Sequence, residues 1–154
     1  MFLPYQNKPM IFRKLLTLVS VLFGLVLVAE VSYGQSNSTI WDAIYSEAQA
    51  ARGKEVYSVS CVSCHAADLR GDSDAPSLRG MSFMFDWEGR SVGELFTTVQ
   101  SQMPSENPNS LPAQNYLDVL AYIFQENNFP VGDEELSPEI DLLNQIGIVP
   151  ESSR

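Results

Sequence analysis

Two cysteines and one histidine occur in the 154-residue chain, and they fall within five consecutive positions, Cys61-Val-Ser-Cys64-His65. Several chemistries use thiols at this spacing. A thioredoxin-like dithiol sits at a strand-to-helix junction of an α/β fold, and no stretch here alternates apolar and polar residues over a strand's length. A structural zinc site takes four Cys or His ligands, and three crowded on one turn cannot close it. A plain disulfide leaves the position of the single histidine unexplained. Covalent attachment of haem uses all three residues. Two thiols add across two vinyl groups on one edge of the porphyrin, so their separation must match the vinyl separation, and a two-residue gap in helical backbone supplies it. The adjacent imidazole then reaches the iron as proximal ligand.

If His65 holds one side of an iron, no second histidine exists for the other. The soft ligands beyond the N-terminal segment are Met81, Met84 and Met103. Met103 follows a helical segment, Pro104 stiffens its turn, and it stands 38 residues beyond His65, far enough for the chain to wrap a macrocycle. Met81 and Met84 lie in the apolar run Met81-Ser-Phe-Met84-Phe and are expected to line the crevice as core.

The elements that must position these residues read as helices. Ser46-Glu-Ala-Gln49 fits a capping box opening a helix from about Glu47 to Val59, with Gly53 and Tyr57 four apart on one face. The breaker-rich stretch Gly71 to Gly80 predicts a loop. Ser91-Val-Gly-Glu94 predicts a second capping box and a helix to about Gln100. The strongest periodicity, Tyr116, Leu117, Leu120, Ile123 and Phe124, predicts a helix over about 113–127 with Ser110 as cap. Ser137-Pro138-Glu139 opens a short helix carrying Ile140, Leu143 and Ile146, stopped by Gly147. The fold class is therefore all-α. The loops are long for so small a core, which suggests that something besides protein fills the interior.

Lys8, Arg13 and Lys14 precede an uncharged run, Leu15 to Ala29, of 15 residues. That matches a signal-peptide apolar region and falls short of the roughly 20 residues of a bilayer span. Ser32 and Gly34 put small residues at the −3 and −1 positions for cleavage before Gln35, with an uncleaved anchor as the alternative. No cysteine follows the run to take a lipid. Cleavage would remove three basic residues and one acidic one (Lys8, Arg13, Lys14, Glu30), turning 9 basic and 19 acidic residues into 6 and 18, or about −12. Such a chain is expected in the periplasm, where free thiols do not persist, with no stable membrane anchor. The full sequence, at −10, lacks the basic face that a nucleic-acid binder needs. With 18% charged and 45% hydrophobic residues it is not a disordered chain.

Over about 100 residues, from Ala48 to near Asn128, the sequence resembles a class I c-type cytochrome. The motifs that carry the resemblance are Gly53-x-x-x-Tyr57, Cys61-Val-Ser-Cys64-His65, Ala75-Pro76-Ser-Leu78, Met103-Pro104 and Tyr116-x-x-Val119-x-Ala121-Tyr122-Ile123. Trp41-Asp42, Ala48-Gln-Ala-Ala-Arg52-Gly53 and Phe129-Pro130-x-Gly132 with its tail are similar to the small cytochromes and cytochrome domains found with quinoprotein (PQQ) dehydrogenases. The resemblance implies a cytochrome c fold of four to five helices around one haem c, covalently held by Cys61 and Cys64. The corresponding domain is 35–154 after a signal peptide 1–34, with a core of about 46–130 and an acidic tail with a short helix, 131–154. It implies that the Gly53/Tyr57 face crosses the Tyr116–Tyr122 region, and that the Pro76 carbonyl accepts the His65 Nδ1–H. It makes Trp87, Arg79 and Arg90 candidates to hold the haem propionates. Ala66 stands where many relatives have Gly, a change expected to be harmless.

With His65 and Met103 both on the iron no position is open to substrate, so the expected role is one-electron transfer and not catalysis. The alternative is a haem-based ligand-binding or sensor protein in which Met103 is labile. The expected partners are redox proteins, with a quinoprotein dehydrogenase as donor and an oxidase or another cytochrome as acceptor.

Overall fold

The structure, a computed structural model, describes residues 38–153. The basic segment, the apolar run and the cleavage site lie outside the described residues. Among the described residues, no helix is long and apolar enough to cross a membrane. The chain divides into two units, Met1–Gln35 and Ser36–Arg154, and the described residues all belong to the second.

Among the described residues, six helices and one minimal sheet make up the architecture. Strand β1 (Ser38–Thr39) leads into α1 (Glu47–Ser60), α2 (Val62–His65), α3 (Gly80–Trp87), α4 (Val92–Gln102), α5 (Ala113–Glu126) and α6 (Ile140–Leu143). Strand β2 (Ile146–Gly147) and a 3₁₀ turn (Glu151–Ser153) follow. β1 and β2 pair in parallel, Ser38 opposite Ile146 and Thr39 opposite Gly147, which ties the two ends of the unit together. The all-α expectation holds apart from this two-residue ladder, with six helices among the described residues where four to five were expected, two of them only four residues long.

Helix α1 starts as expected, with the Ser46 hydroxyl accepting from Gln49 N at 3.0 Å. The return half of the capping box is not made. The Gln49 amide is buried and bonds both ways to Leu136, donating to its carbonyl at 3.0 Å and accepting from its N–H at 2.9 Å. At α4 both halves of the box form around Ser91 and Glu94. Ser110 does not cap α5. That helix begins after Pro112, where Asn115 N reaches the Pro112 carbonyl and the Tyr116 hydroxyl accepts from Leu111 N. Helix α6 is shorter than expected because Ile146 and Gly147 leave the helix to pair with β1.

α1 packs across α5, and Gly53 makes that crossing possible. A Cβ at Gly53 would collide with the Asp118 carbonyl, so the two backbones touch where a side chain would hold them apart. One turn further on, the Tyr57 and Tyr122 rings meet edge to face with centroids 5.3 Å apart. Asp118 is buried within the crossing, and side chains satisfy both its carboxylate oxygens. Arg52 grips each oxygen at 3.0 Å and Gln114 adds a bond at 2.9 Å. Arg52 also holds Glu135 at 3.0 and 2.7 Å, fastening the segment after α5 to α1.

Candidate functional site

Cys61 is both the last cap of α1 and the first cap of α2, so the thiol pair straddles a helix junction. Cys61 N donates to Tyr57 O at 2.9 Å and Cys61 O accepts from His65 N at 3.0 Å, which sets the two thiols and the imidazole on one turn. The Tyr57 hydroxyl donates to the Ala66 carbonyl at 2.7 Å and pins the far end of that turn. Ala66 itself has φ +61° and ψ 164°, a region that only glycine visits freely. The expectation that alanine here is harmless is therefore corrected: the turn after His65 needs a positive φ, and alanine carries the strain.

His65 is buried, and its Nδ1–H donates to the Pro76 carbonyl at 3.0 Å. This bond fixes the ring and its tautomer and leaves Nε2 as the nitrogen available to a metal. The Pro76 loop is itself tied down. Gly71 N reaches His65 O at 3.0 Å, Leu78 N reaches Leu69 O at 2.8 Å, and Asp72 Oδ1 accepts from Asp74 N and Ala75 N at 2.8 and 3.1 Å. From the end of α5, Asn127 donates to Leu78 O at 2.9 Å and accepts from Gly80 N at 2.7 Å.

Met103 caps α4, its N–H bonded to Val99 O at 2.9 Å. Its carbonyl accepts from the Tyr116 hydroxyl at 2.9 Å, so α5 holds the methionine backbone from the other side. Cys61, Cys64, His65 and Met103 all line one cavity of about 390 Å³, together with apolar side chains that include Phe83, Leu95, Val99 and Ile123. The volume falls in the range of about 300–1,000 Å³ usual for cofactor pockets. Two thiols, one imidazole with a free Nε2 and one thioether on the wall of a largely apolar cavity fit a covalently held haem.

The other sequence-predicted residues divide. Pro76, Trp87 and Arg90 line the cavity, with the Arg90 guanidinium 4.4 Å above the Trp87 ring and its Nε 3.5 Å from Glu94. Arg79 does not line it. That side chain is turned to Glu126 at 3.7 Å and to the Asp68 carbonyl at 3.4 Å. Met81 and Met84 also leave the site, against the expectation that they line the crevice. The run that contains them forms α3, which turns only Phe83, Asp86 and Trp87 to the cavity and leaves Met81 and Phe85 90% exposed. Met81, Met84 and Phe85 instead border a separate depression with Trp41 and Phe129. The sequence reading misses the anchoring roles of Tyr116, which its periodicity marks only as core, and of Asn127. A tyrosine one turn into a helix, just after a Pro- and Asn-rich loop, is the available signal.

Burial and the neighbouring Cys64 push the Cys61 thiol up to about 11. A nucleophilic dithiol needs the opposite shift, so the thiol pair is poorly placed for disulfide exchange.

Residues 48–123 match the protein family described as cytochrome C oxidase, cbb3-type, subunit III. No curated protein matches the chain. Among solved structures, the sulfane dehydrogenase SoxCD from Paracoccus pantotrophus is similar at 17% identity with a TM-score of 0.47, covering 73% of this chain and 63% of that one. The match thus spans less than two thirds of that chain. The family match and the cavity together identify residues 48–123 as a cytochrome c domain, with Cys61 and Cys64 as the residues that hold haem c.

Proposed function

We propose that this chain is a one-electron shuttle between extracytoplasmic redox proteins, with His65 and Met103 as the two axial ligands of a six-coordinate haem. The observation that carries this reading is that both side chains line the same cavity as the thiol pair, the His65 ring held by the Pro76 carbonyl and the Met103 backbone by the Tyr116 hydroxyl. Bound haem supplies reversible Fe(III)/Fe(II) exchange without a bond to substrate. The protein's part is to keep both ligands in place through that exchange and to keep water away. Pro76 O holds the His65 ring, Tyr116 and Val99 hold Met103, and Phe83, Leu95 and Ile123 give the wall its apolar character, which together with a thioether ligand favours the reduced form.

The leader supports export to the periplasm, with residues 1–34 removed and 35–154 forming the working domain. The acidic balance favours a partner with a basic docking patch. The family description names an oxidase subunit, which supports an oxidase or another cytochrome as the neighbour in electron flow. A quinoprotein dehydrogenase as donor rests on the sequence motifs alone.

Visible spectroscopy with carbon monoxide tests the ligand assignment. The haem-loaded protein should be low-spin when reduced and indifferent to carbon monoxide, whereas Met103→Ala should bind it and show a lower midpoint potential. Rapid carbon monoxide binding by the parent, or an unchanged spectrum in Met103→Ala, would replace this reading with the sensor or with another ligand.

A further inference from the structure

The segment after α5 lies beyond the family match and, as far as the described residues go, supplies none of the cavity wall, yet it reaches the part of the protein that carries Trp87 and Arg90. Its first half is fastened at three places. Gly132 N bonds Tyr45 O at 2.8 Å, Glu135 pairs with Arg52, and Leu136 exchanges two hydrogen bonds with Gln49. Its second half lies along the turn between α3 and α4. Gly89 N donates to Ile148 O at 2.9 Å and Ile148 N donates to Arg90 O at 2.8 Å, so the backbone on either side of the turn is locked to one residue. Ile148 and Leu143 are buried. Asn144 fills the space that a Cβ at Gly93 would need, and its Oδ1 accepts from the Ser91 hydroxyl at 3.3 Å.

We propose that residues 132–148 are a positioning strap for the haem site, holding the 87–91 turn so that Arg90 presents a fixed positive charge to the cavity. Among the described residues, Arg90 is the only lysine or arginine lining it. Three constraints define its place: the strap fixes its carbonyl, the Trp87 ring lies beneath its guanidinium, and Glu94 pairs with its Nε. Glu94 is in turn held by the capping box, where its second oxygen accepts from Ser91 N at 2.9 Å. With no strap the turn would keep its side chains but lose the backbone partners that aim them. Ile148 and Asn144 are positioning residues. They act on the cavity through Arg90, whose charge favours the electron-richer state of whatever lies within reach. The proposal rests on the haem reading, which already names Arg90, and adds the strap residues, which that reading does not use.

The test is a double-mutant cycle on the midpoint potential of the full-length, haem-loaded protein, with Ile148→Ala and Arg90→Gln made singly and together. Each single change should lower the potential. Once Ile148→Ala is present, the further shift from Arg90→Gln should fall to less than half of its value in the parent, and Ile148→Val should restore the parental potential. An Arg90→Gln shift of the same size in both backgrounds would show that the strap only stabilises the fold, and would overturn the proposal. So would a potential that does not move in Arg90→Gln. If Ile148→Ala does not accumulate, the exposed Asn144→Ala replaces it in the same cycle under the same criterion. Failure of the His65/Met103 reading would show separately, as carbon monoxide binding by the parent.

Discussion

Among the described residues, every side chain on the cavity wall comes from between Tyr57 and Ile123, inside the family-matched stretch. The described flanking segments contribute none, yet they are pinned to it and to one another. The two regions are built by different means. Inside the match, side-chain types decide: thiols, an imidazole, a thioether, a glycine at the helix crossing and a tyrosine on either side. In the flanks the pairing is largely main chain, through Ser38–Ile146, Gly132–Tyr45 and Ile148–Arg90, with the Gln49 side chain bonding the Leu136 backbone. Changes inside the match should therefore act through the identity of one side chain. Changes in the flanks should be small unless they free a stretch of backbone.

The largest effect expected on that basis is at the crossing. In an exposed helix Gly→Ala gains about 0.5–1 kcal/mol from backbone entropy. Gly53→Ala should reverse the sign, because its methyl group meets the Asp118 carbonyl, which belongs to another helix and has no rotamer to escape into. Overpacking of this kind costs about 1–3 kcal/mol or more, and denaturant unfolding of the haem-loaded protein should register a net loss of about 2 kcal/mol. A gain in stability would mean that the helices do not cross this closely. Next in size is Ala66→Gly. Relief of a positive-φ conformation is worth about 1–3 kcal/mol, against the roughly 0.4–1 kcal/mol that glycine's unfolded freedom costs. Unfolding should therefore show a gain of about 1 kcal/mol, with the spectrum unchanged. Equal stability of the two proteins would mean that the turn after His65 relaxes without cost.

The same division explains what could be read from the sequence. The thiol pair with its histidine, the Gly53/Tyr57 face, the Pro76 acceptor and the Met103 turn were legible because each needs a particular residue at a particular spacing. The helix starts at Ser46 and Ser91 were legible for the same reason, since a capping hydroxyl is a side-chain signal. Helix α3 was not. Met81-Ser-Phe-Met84-Phe is apolar at four of five positions, so its composition reads as core whichever face is buried, and only the packing of Phe83 against Phe124 and Phe129 decides it. The place of Arg79 off the cavity wall was hidden for a different reason. A long flexible cation near a cavity has several possible partners, and Glu126, supplied by the end of α5, cannot be seen from the neighbourhood of Arg79 in sequence. The strand pairing at Ile146 was hidden too, because a two-residue parallel ladder has no pattern of its own.

The smallest effect should be the charge clasp at the start of the strap, and its pH dependence follows from its chemistry. The Arg52 hydrogen bonds hold the Glu135 carboxyl below its ordinary 4.5. A carboxyl whose pKa is depressed by folding contributes stability that is fully present above the unfolded value, and it loses that contribution as pH falls through the folded one. Glu135→Gln should therefore cost less than about 1 kcal/mol at pH 7, since the pair is open to solvent and screened. The gap between variant and parent should close in urea unfolding carried out well below pH 4.5. The midpoint potential should not move in this variant, because Leu136 is still bonded both ways to Gln49 and Ile148 still holds Arg90. A gap of the same size at both pH values would mean that Glu135 holds the segment by shape and not by charge. The flank would then depend on the identity of one side chain, as the matched region does, and the contrast between the two regions would weaken.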